Sequence, residues 1–473
     1  MKAFSTETEL FPHQERAFEK LLPSRVGALF MDMGTGKSRT AIEFAKKRQR
    51  KIDKTVWFCP VSLKETVRQE IIKHTDSRDI NVFDDKTNER NIPPTGWHIV
   101  GIESMSQSNR VVATVNKLIT NRSNIILDES DMCKTHYAKR TERITFISER
   151  AKYRLAMTGT PVSEGIVDLY AQMKFLSPKI LGYSSFYSFA ANHLEYSEKF
   201  PGMIVRAHNT QYIAAKIQPY VYQVLEKDCL NLPSKIYEPT YYFHMSEEQR
   251  YWYERIKDEF LSIDPEYFKP YDIFRLFTAL QEVVCGFYNR KARGKTETAY
   301  FKHDRVDMLM EAIKRISPNE QVVIWSKFHH DSNEISRRLA EEYGEDTVSV
   351  YNGNISPKKR IQEEDKFFRG ETRFFNGSLN CGSRGLNKLI TSARVLFYDN
   401  SFKFIQRDQA EGRSHRPGQL RPVVYRNIHC IDSIDDRIAA AYAKKGSVVA
   451  EFKREIDRVK DKKSRVRELI KAL

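Results

Sequence analysis

The sequence predicts an α/β fold: two parallel-sheet lobes in tandem, with helical insertions between them. Length is the first observation, because 473 residues are too many for one ordinary core. Second, short β-rich apolar runs alternate with amphipathic segments, both before residue 179 and after residue 304, which is typical of sheets with helical crossovers. Third, residues 179–304 break this rhythm and space their aromatic residues helically.

The first predicted lobe covers residues 1–178 and the second covers residues 305–445. The runs of the first lobe are VGALFMD, TVWFCPV, WHIVGI, NIILDES and RLAMTGTP. Those of the second lobe are QVVIWSKF, DTVSVYNG, TRFFNGS, ARVLFYDN and VVYRNI. Each run has the length of a strand and is followed by helix-like sequence, so we expect a parallel sheet in each lobe.

Residues 179–304 are predicted to be helical insertions and the connection between the lobes. Their aromatic residues could stack on bases, but the helical spacing favours a packed core. These residues are Tyr251, Trp252, Tyr253, Phe274 and Phe277.

Residues 446–473 are predicted to form a basic C-terminal helix. An apolar stripe on this helix favours docking on the second lobe over a DNA-binding tail. The stripe consists of Phe452, Ile456, Val459, Val466 and Ile470.

Charge indicates the class of partner. The chain has 78 Lys and Arg residues against 62 Asp and Glu residues, a net charge of +16. This excess favours a polyanion, and nucleic acid first, over a basic surface that only interacts with solvent.

The cysteines and the apolar segments bear on the environment. The six cysteines lie far apart without a C-x-x-C pair, so we interpret them as reduced core residues rather than a zinc site. The N-terminus has no apolar signal region, and no stretch approaches the roughly 18 uncharged residues of a membrane helix. We therefore expect a soluble, intracellular protein of the cytoplasm or nucleoid.

The segment MDMGTGKS at residues 31–38 contains the end of a phosphate-binding loop. Glycines allow backbone N–H groups to approach phosphates, and the helix that follows directs its positive end at them. Lys37 would reach the β- and γ-phosphates of ATP and Ser38 would bind Mg²⁺. Met31 stands where the strict loop signature has a glycine. The residues expected to contact the nucleotide are Gly34, Thr35, Gly36, Lys37 and Ser38.

NIILDESD supplies the acidic half of an ATP site. Its apolar residues run into Asp128 and Glu129, and the carboxyl ends of strands lie beside the ligand in open α/β sheets. Asp128 would hold Mg²⁺, and Glu129 would orient or deprotonate the attacking water. Taken alone, this pair would more often be a polar strand end.

The order of these motifs resembles the Snf2 (Swi2/Snf2) group of superfamily 2 helicase-type ATPases over nearly the whole chain. FPHQ is similar to the adenine-contacting element, with Gln14 in the reading position, and DMGTGKS matches the group's nucleotide loop despite Met31. CPVSLKETVRQE resembles another group segment, with Val67 in place of Trp. In DESD, Asp131 stands where a His would link the ATP site to the neighbouring motif. RLAMTGTPVSEGIVDLYAQMKFLSP is close to the group's pattern, with Glu164 in place of Asn.

The second lobe continues this resemblance. VVIWSKF is similar to the group's Ser-Gln-Phe element, with Lys327 in the Gln position. NGSLNCGSRGLNKL resembles motif V, where Gly382, Gly385, Leu386 and Asn387 match and Arg384 departs. QAEGRSHRPGQ agrees with the group's two-arginine motif. Arg413 and Arg416 are three residues apart and would share one face, so they would present positive charge to a γ-phosphate held by the other lobe.

The resemblance implies RecA-like lobes that grip nucleic acid without reading its sequence. Hydroxyls, backbone amides and lysines suit phosphate contacts, so binding should be strongly salt-dependent. The implied contact residues are Ser62, Leu63, Lys64, Thr158, Gly159, Thr160, Ser326, Lys327, Ser378 and Asn380.

The leading hypothesis is an ATP- and Mg²⁺-dependent, monomeric double-stranded-DNA translocase that remodels protein–DNA complexes or branched DNA. A strand-separating or branch-migrating helicase is the alternative within the superfamily. A non-catalytic DNA-binding scaffold is the alternative from another class, which the intact Lys37, Asp128, Glu129, Arg413 and Arg416 disfavour. The Snf2-like motifs also disfavour RNA as the substrate.

Overall fold

The computed structural model describes residues 1–163, 165–198, 202–262, 270–292, 295–382, 386–458 and 463–473. They divide into two compact units. Unit 1 comprises residues 1–195 and 204–231, and unit 2 comprises residues 196–203 and 232–473. The predicted insertion, residues 179–304, is therefore distributed over both units.

Unit 1 is built on a seven-stranded parallel sheet, in the order β3-β4-β2-β5-β6-β1-β9. Its strands are β1 (Val26–Met31), β2 (Lys54–Cys59), β3 (Ile80–Val82), β4 (Trp97–Gly101), β5 (Ser123–Asp128), β6 (Tyr153–Thr158) and β9 (Val221–Val224). A separate two-stranded sheet contains β7 (Leu194–Tyr196) and β8 (Ile204–Ala207).

Helices cover both faces of this sheet. They are α1 (Pro12–Leu21), α2 (Lys37–Arg48), α3 (Lys64–His74), α4 (Ser104–Gln107), α5 (Asn109–Leu118), α6 (Lys139–Ser148), α7 (Val167–Leu176), α8 (Phe186–His193), α9 (Thr210–Ile217) and α10 (Glu226–Cys229). Ala28 and Phe30 of β1 pack into one apolar cluster and Leu29 and Met31 into another. Burial on both faces explains the continuous apolar runs of the sequence.

Unit 2 is built on a second seven-stranded parallel sheet, in the order β10-β18-β17-β14-β16-β15, with β11 also paired to β18. Its strands are β10 (Lys235–Tyr237), β11 (Tyr241–Phe243), β14 (Val322–Ser326), β15 (Val348–Tyr351), β16 (Phe374–Ser378), β17 (Arg394–Phe397) and β18 (Val423–Cys430). The strands β12 (Phe287–Ala292) and β13 (Lys295–Tyr300) form an antiparallel hairpin of their own.

The helices of unit 2 are α11 (Glu247–Leu261), α12 (Pro270–Val284), α13 (Arg305–Lys314), α14 (His329–Tyr343), α15 (Pro357–Phe368), α16 (Leu379–Gly382), α17 (Phe404–Ser414), α18 (Ile434–Ala443), α19 (Val448–Arg458) and α20 (Lys463–Lys471). Ile324 of β14 faces one apolar cluster, and its neighbours Val323 and Trp325 face another. The predicted fold class, two parallel-sheet units with helices, is confirmed.

Two predictions about helices are refined. The aromatic segment is core only in part, since Tyr253 and Phe277 are fully buried, whereas Tyr251 and Phe274 are exposed. The predicted C-terminal helix is two helices, α19 and α20, and Val459 lies outside the described residues.

The C-terminal helices dock on unit 2, as the apolar stripe predicted. Phe452 and Ile470 are buried in its main apolar cluster. The Tyr253 hydroxyl donates a hydrogen bond to the Leu473 carbonyl at 2.8 Å, which fixes α11 against the C-terminus.

Candidate active site

The nucleotide loop lies between the end of β1 and the start of α2. Gly34 and Gly36 have φ angles of +77° and +83°, a region that glycine adopts without steric cost. The turn lets α2 begin at Lys37, so its N-terminal N–H groups face the loop, an arrangement that favours anions. Ser38 is the second residue of this helix.

The ammonium of Lys37 is held over this loop. Its Nζ donates to the carbonyls of Met31 at 2.8 Å and Asp32 at 3.0 Å. The TGTP segment lies beside it, because a Cβ built on Gly159 would be 3.6 Å from Lys37 Nζ. Met31, which departs from the strict signature, thus provides a backbone acceptor for the lysine.

Gln14 lies against the same loop. Its Nε2 donates to the Thr35 carbonyl at 3.0 Å, and a Cβ on Gly36 would approach that Nε2 to 1.9 Å. His13, which the sequence prediction omitted, contacts the same carbonyl through Nε2 at 2.7 Å. The FPHQ segment therefore stabilises the phosphate loop through these side-chain contacts.

The two predicted carboxylates stand at the end of β5. Asp128 is buried, and its oxygens accept hydrogen bonds from the Glu129 backbone N–H at 3.0 Å and from Trp57 Nε1 at 3.4 Å. Burial and the Glu129 carboxylate raise the pKa of Asp128 above its ordinary value, although Lys37 opposes this shift. Glu129 has a left-handed backbone with φ 48°, a strained conformation that clusters at functional sites.

This donor set fits a magnesium ion. Mg²⁺ prefers oxygen ligands and is commonly held by one or two carboxylates together with substrate phosphates. Asp128 offers a buried carboxylate whose charge would gain from a cation, and Ser38 offers a hydroxyl beside the loop. Trp57, which no sequence motif indicated, orients the carboxylate from the adjacent strand.

Asp131 links DESD to TGTP although it replaces the usual His. Thr158 Oγ1 donates to Asp131 Oδ1 at 3.2 Å, between buried groups. A second link passes through Gln172 of α7, which accepts from Ser130 Oγ at 2.7 Å and donates to the Pro161 carbonyl at 2.8 Å. The connection between the two motifs is thus made by a carboxylate and an amide. Glu164 lies outside the described residues.

In unit 2, the two arginines converge on one carbonyl. Arg413, in the last turn of α17, and Arg416 each donate through NH1 to the Leu386 carbonyl at 3.1 Å. Arg416 also donates to Asn387 Oδ1 at 2.5 Å. The shared acceptor places their charges together, in agreement with the three-residue spacing. Arg384 and Gly385 of the same motif lie outside the described residues.

The nucleic-acid residues predicted in unit 1 differ in exposure. Ser62 is exposed and Leu63 is buried, while Lys64 donates through Nζ to the Phe83 carbonyl at 2.6 Å. Thr158 is fully buried, and Gly159 and Thr160 are partly exposed. Any contact made by the TGTP segment would therefore come from its last residues.

The nucleic-acid residues predicted in unit 2 also differ in exposure. Ser326 and Ser378 are buried at paired ends of β14 and β16, and Asn380 is exposed. The Lys327 ammonium donates to Gln281 Oε1 at 2.6 Å and lies 3.4 Å from the Phe402 ring centroid. Burial lowers its pKa. Its role in gripping DNA stays a prediction, because the side chain here joins α12 to the end of β14.

A buried acidic cluster beside Lys327 was not predicted. Ligand atoms of Cys285, Asp331 and Asp399 lie within 4.8 Å of one another. Burial raises the pKa of Asp331 to about 8 and that of Asp399 above its ordinary value. Asp399 also accepts the Lys327 backbone N–H at 2.7 Å. Arg305 and Lys327 are the nearby cations.

Within the described part of the chain, the helices are all too short or too polar to cross a membrane.

Comparisons with known proteins identify the family. The profile of the SNF2-related domain matches residues 14–289, and that of the helicase conserved C-terminal domain matches residues 304–418. A Mycoplasma pneumoniae protein, named as an uncharacterized ATP-dependent helicase, is 22% identical over 354 residues, which are 74% of this chain and 32% of that protein. Helicase SWR1 of Cryptococcus neoformans is 26% identical over 279 residues, 54% of this chain and 22% of that protein.

The chain thus spans about a third or less of the length of these relatives. A solved structure of the Sulfolobus solfataricus SWI2/SNF2 ATPase core in complex with dsDNA is also similar. It has 20% identity and a TM-score of 0.44, over 99% of this chain and 98% of that one. The domain profile covers more than half of the sequence, so this chain belongs to the SNF2-related family.

Proposed function

We propose that this chain is an ATP-dependent double-stranded-DNA translocase, which couples ATP hydrolysis to movement along DNA and to remodelling of protein–DNA complexes or branched DNA. The observation that carries this proposal is the set of groups at one edge of the unit 1 sheet. Lys37 begins the helix after β1, Asp128 ends β5 and Glu129 follows it, and the two strands lie on either side of β6. In an SNF2-related chain this set supports ATP hydrolysis.

Nucleotide binding would use groups that already face the loop. Lys37 would exchange the carbonyls of Met31 and Asp32 for phosphate oxygens, which are stronger acceptors because they are charged. Ser38 and Asp128 would hold Mg²⁺, which supplies positive charge to the phosphates. Gln14 would contact the adenine, as the resemblance implies.

Hydrolysis would use Glu129 and the two arginines. Glu129 would orient the attacking water or accept its proton. Arg413 and Arg416 would exchange the neutral Leu386 carbonyl for the γ-phosphoryl oxygens, which stabilises the charge of the transition state.

The chain would bind DNA through contacts with the phosphate backbone of the DNA. Ser62 and Asn380 carry exposed polar side chains at the predicted positions. Contacts of this kind position a protein on DNA without reading bases. The net charge of +16 supports binding that weakens strongly with salt. We propose that the chain acts as a monomer.

The test is ATP hydrolysis by the purified chain without nucleic acid, then with single-stranded DNA, linear duplex and a four-way junction. We expect duplex to stimulate turnover, and Glu129→Gln to abolish the signal in every arm. Stimulation by single strands or junctions alone would favour the strand-separating or branch-migrating alternative. Nucleic acid binding without hydrolysis would favour the scaffold.

A further inference from the structure

The β12–β13 hairpin is an element that the catalytic account leaves unused. Its two strands pair only with each other among the described residues, in the register Phe287↔Tyr300 to Ala292↔Lys295. Two-stranded hairpins are marginally stable alone, so this one depends on its root. Residues of α12 and of the start of α14 contact this root.

Aromatic and polar contacts hold that root. The buried Phe287 ring lies 5.4 Å from Phe328 and stacks on His330 at 4.4 Å, and Tyr300 stacks on the same histidine at 5.4 Å. The Glu282 carboxylate at the end of α12 accepts from the backbone N–H of Asn289 at 3.1 Å and from its Nδ2 at 3.0 Å. The hairpin is therefore anchored to unit 2, and its Tyr288 and Ala299 side chains pack against the main apolar cluster of that unit.

This root adjoins the edge of the sheet where nucleic-acid contacts are proposed. Phe328 and His330 follow directly after Ser326 and Lys327 at the carboxyl end of β14. Asn380, from the paired end of β16, donates to the Lys327 carbonyl at 3.3 Å. The hairpin thus begins beside the exposed Asn380.

Charge and exposure indicate the class of ligand. In the sequence, residues 287–302 contain five basic residues and one acidic residue, Glu297. Arg290 and Lys302 are exposed, and Tyr300 exposes 67% of its surface. Arg290 lies opposite Glu297 in the hairpin register, on the other face from Tyr300, and exposed cations suit the phosphodiester backbone of nucleic acid.

We propose that the exposed cations of the hairpin, Arg290 and Lys302, make additional contacts of unit 2 with the backbone of duplex DNA. This inference rests on the proposed translocase function. It adds a contact outside the family motifs, and it predicts that this contact contributes to DNA affinity and not to hydrolysis itself.

The experiment measures binding of a fluorescent duplex by anisotropy across a salt series, together with duplex-stimulated and basal ATPase rates. The test variant is Arg290→Ala/Lys302→Ala. The control is Lys314→Ala/Arg337→Ala, which removes two cations of unit 2 that are 59% and 58% exposed. The test variant should weaken duplex binding and reduce the slope of log affinity against log salt by about 2, one for each lost phosphate contact. Basal ATPase should be unchanged.

A second variant, Glu297→Lys, should act in the opposite direction and tighten duplex binding, which a folding defect would not do. A test variant with the affinity and slope of the control, or a loss confined to single-stranded DNA, would overturn the inference. The wild-type chain could bind duplex DNA without duplex-stimulated hydrolysis, and the translocase proposal would then fail. The anisotropy measurement would still test whether the hairpin contacts DNA.

Discussion

The two units hold their catalytic candidates in different ways. In unit 1, Asp128 is a buried carboxylate fixed by Trp57 and by backbone, beside the Lys37 ammonium and a strained Glu129. In unit 2, Arg413 and Arg416 share the Leu386 carbonyl as an acceptor, so their positive charges lie together. The comparison indicates that the candidates of unit 1 combine carboxylates with a cation, whereas those of unit 2 contribute positive charge alone.

The largest effect should come from removing that charge. Arg416→Ala should reduce ATP turnover by about 10³–10⁵, the range of arginine fingers in phosphoryl transfer, with little change in nucleotide affinity. Steady-state kinetics and fluorescent-nucleotide titration measure the two quantities. Arg421→Ala is the control, because Arg421 is 51% exposed and pairs with Glu320 at 3.2 Å. Unchanged turnover in Arg416→Ala would remove unit 2 from the catalytic account.

Glu129→Gln should come next, with turnover reduced by about 10²–10⁴, as expected for loss of a general base. ATP binding should persist, since Lys37 and Asp128 remain. The same two assays apply, with Glu142→Gln on the exposed side of α6 as the control. Robust hydrolysis by Glu129→Gln would show that another group activates the water.

Thr158→Val tests the link between the ATP site and TGTP. The change removes the donor to Asp131, and a hydrogen bond to a charged group contributes about 1.5–3 kcal/mol. If this bond transmits DNA binding, the ratio of DNA-stimulated to basal turnover should fall about tenfold or more. Thr114→Val is the control, because it removes another buried hydroxyl that bonds the Arg110 carbonyl at 2.7 Å. Equal ratios in both variants would place the coupling elsewhere.

Asp331→Asn should have the smallest effect, which is a change in how the free energy of unfolding depends on pH. Its folded pKa is about 8 because the carboxyl is buried, with Arg305 and His303 opposing the shift and Glu334 adding to it. An Asp in the unfolded chain has a pKa of about 3.9. The folded state therefore retains a proton that the unfolded state loses, and stability falls as pH rises from about 4 to 8.

Asn cannot titrate, so the variant's unfolding free energy should fall less steeply over this window, by at most about 1.4 kcal/mol per pH unit. Urea unfolding at several pH values measures the slope. Asp346→Asn, at an exposed position before β15, is the control. Identical slopes for Asp331→Asn and wild type would show that Asp331 is ionised in the folded protein.

Sequence reasoning recognised motifs that are local in the chain. The loop around Gly36, the end of β5 and the Arg413–Arg416 spacing each lie within one short segment, so their patterns were visible. It missed Trp57 and Gln172, because these side chains meet DESD only through the tertiary fold. No spacing along the chain indicates such partners.

The predicted insertion, residues 179–304, shows the same limit in predicting the fold from the sequence. Its helical spacing predicted α11 and α12, but β9, β10 and β11, which extend the two sheets, were not predicted. These strands have only three or four residues, too few for a periodic pattern. Lys327 shows the limit for a side chain, since its contact with Gln281 depends on α12, 46 positions away along the chain.

The most direct test of the central claim is displacement of a triplex-forming oligonucleotide from linear duplex DNA, measured with ATP and without it. The account predicts that displacement requires ATP, leaves the duplex strands paired and is lost in Arg416→Ala. Displacement that is absent despite ATP hydrolysis, or that occurs only with separation of the duplex strands, would contradict duplex translocation.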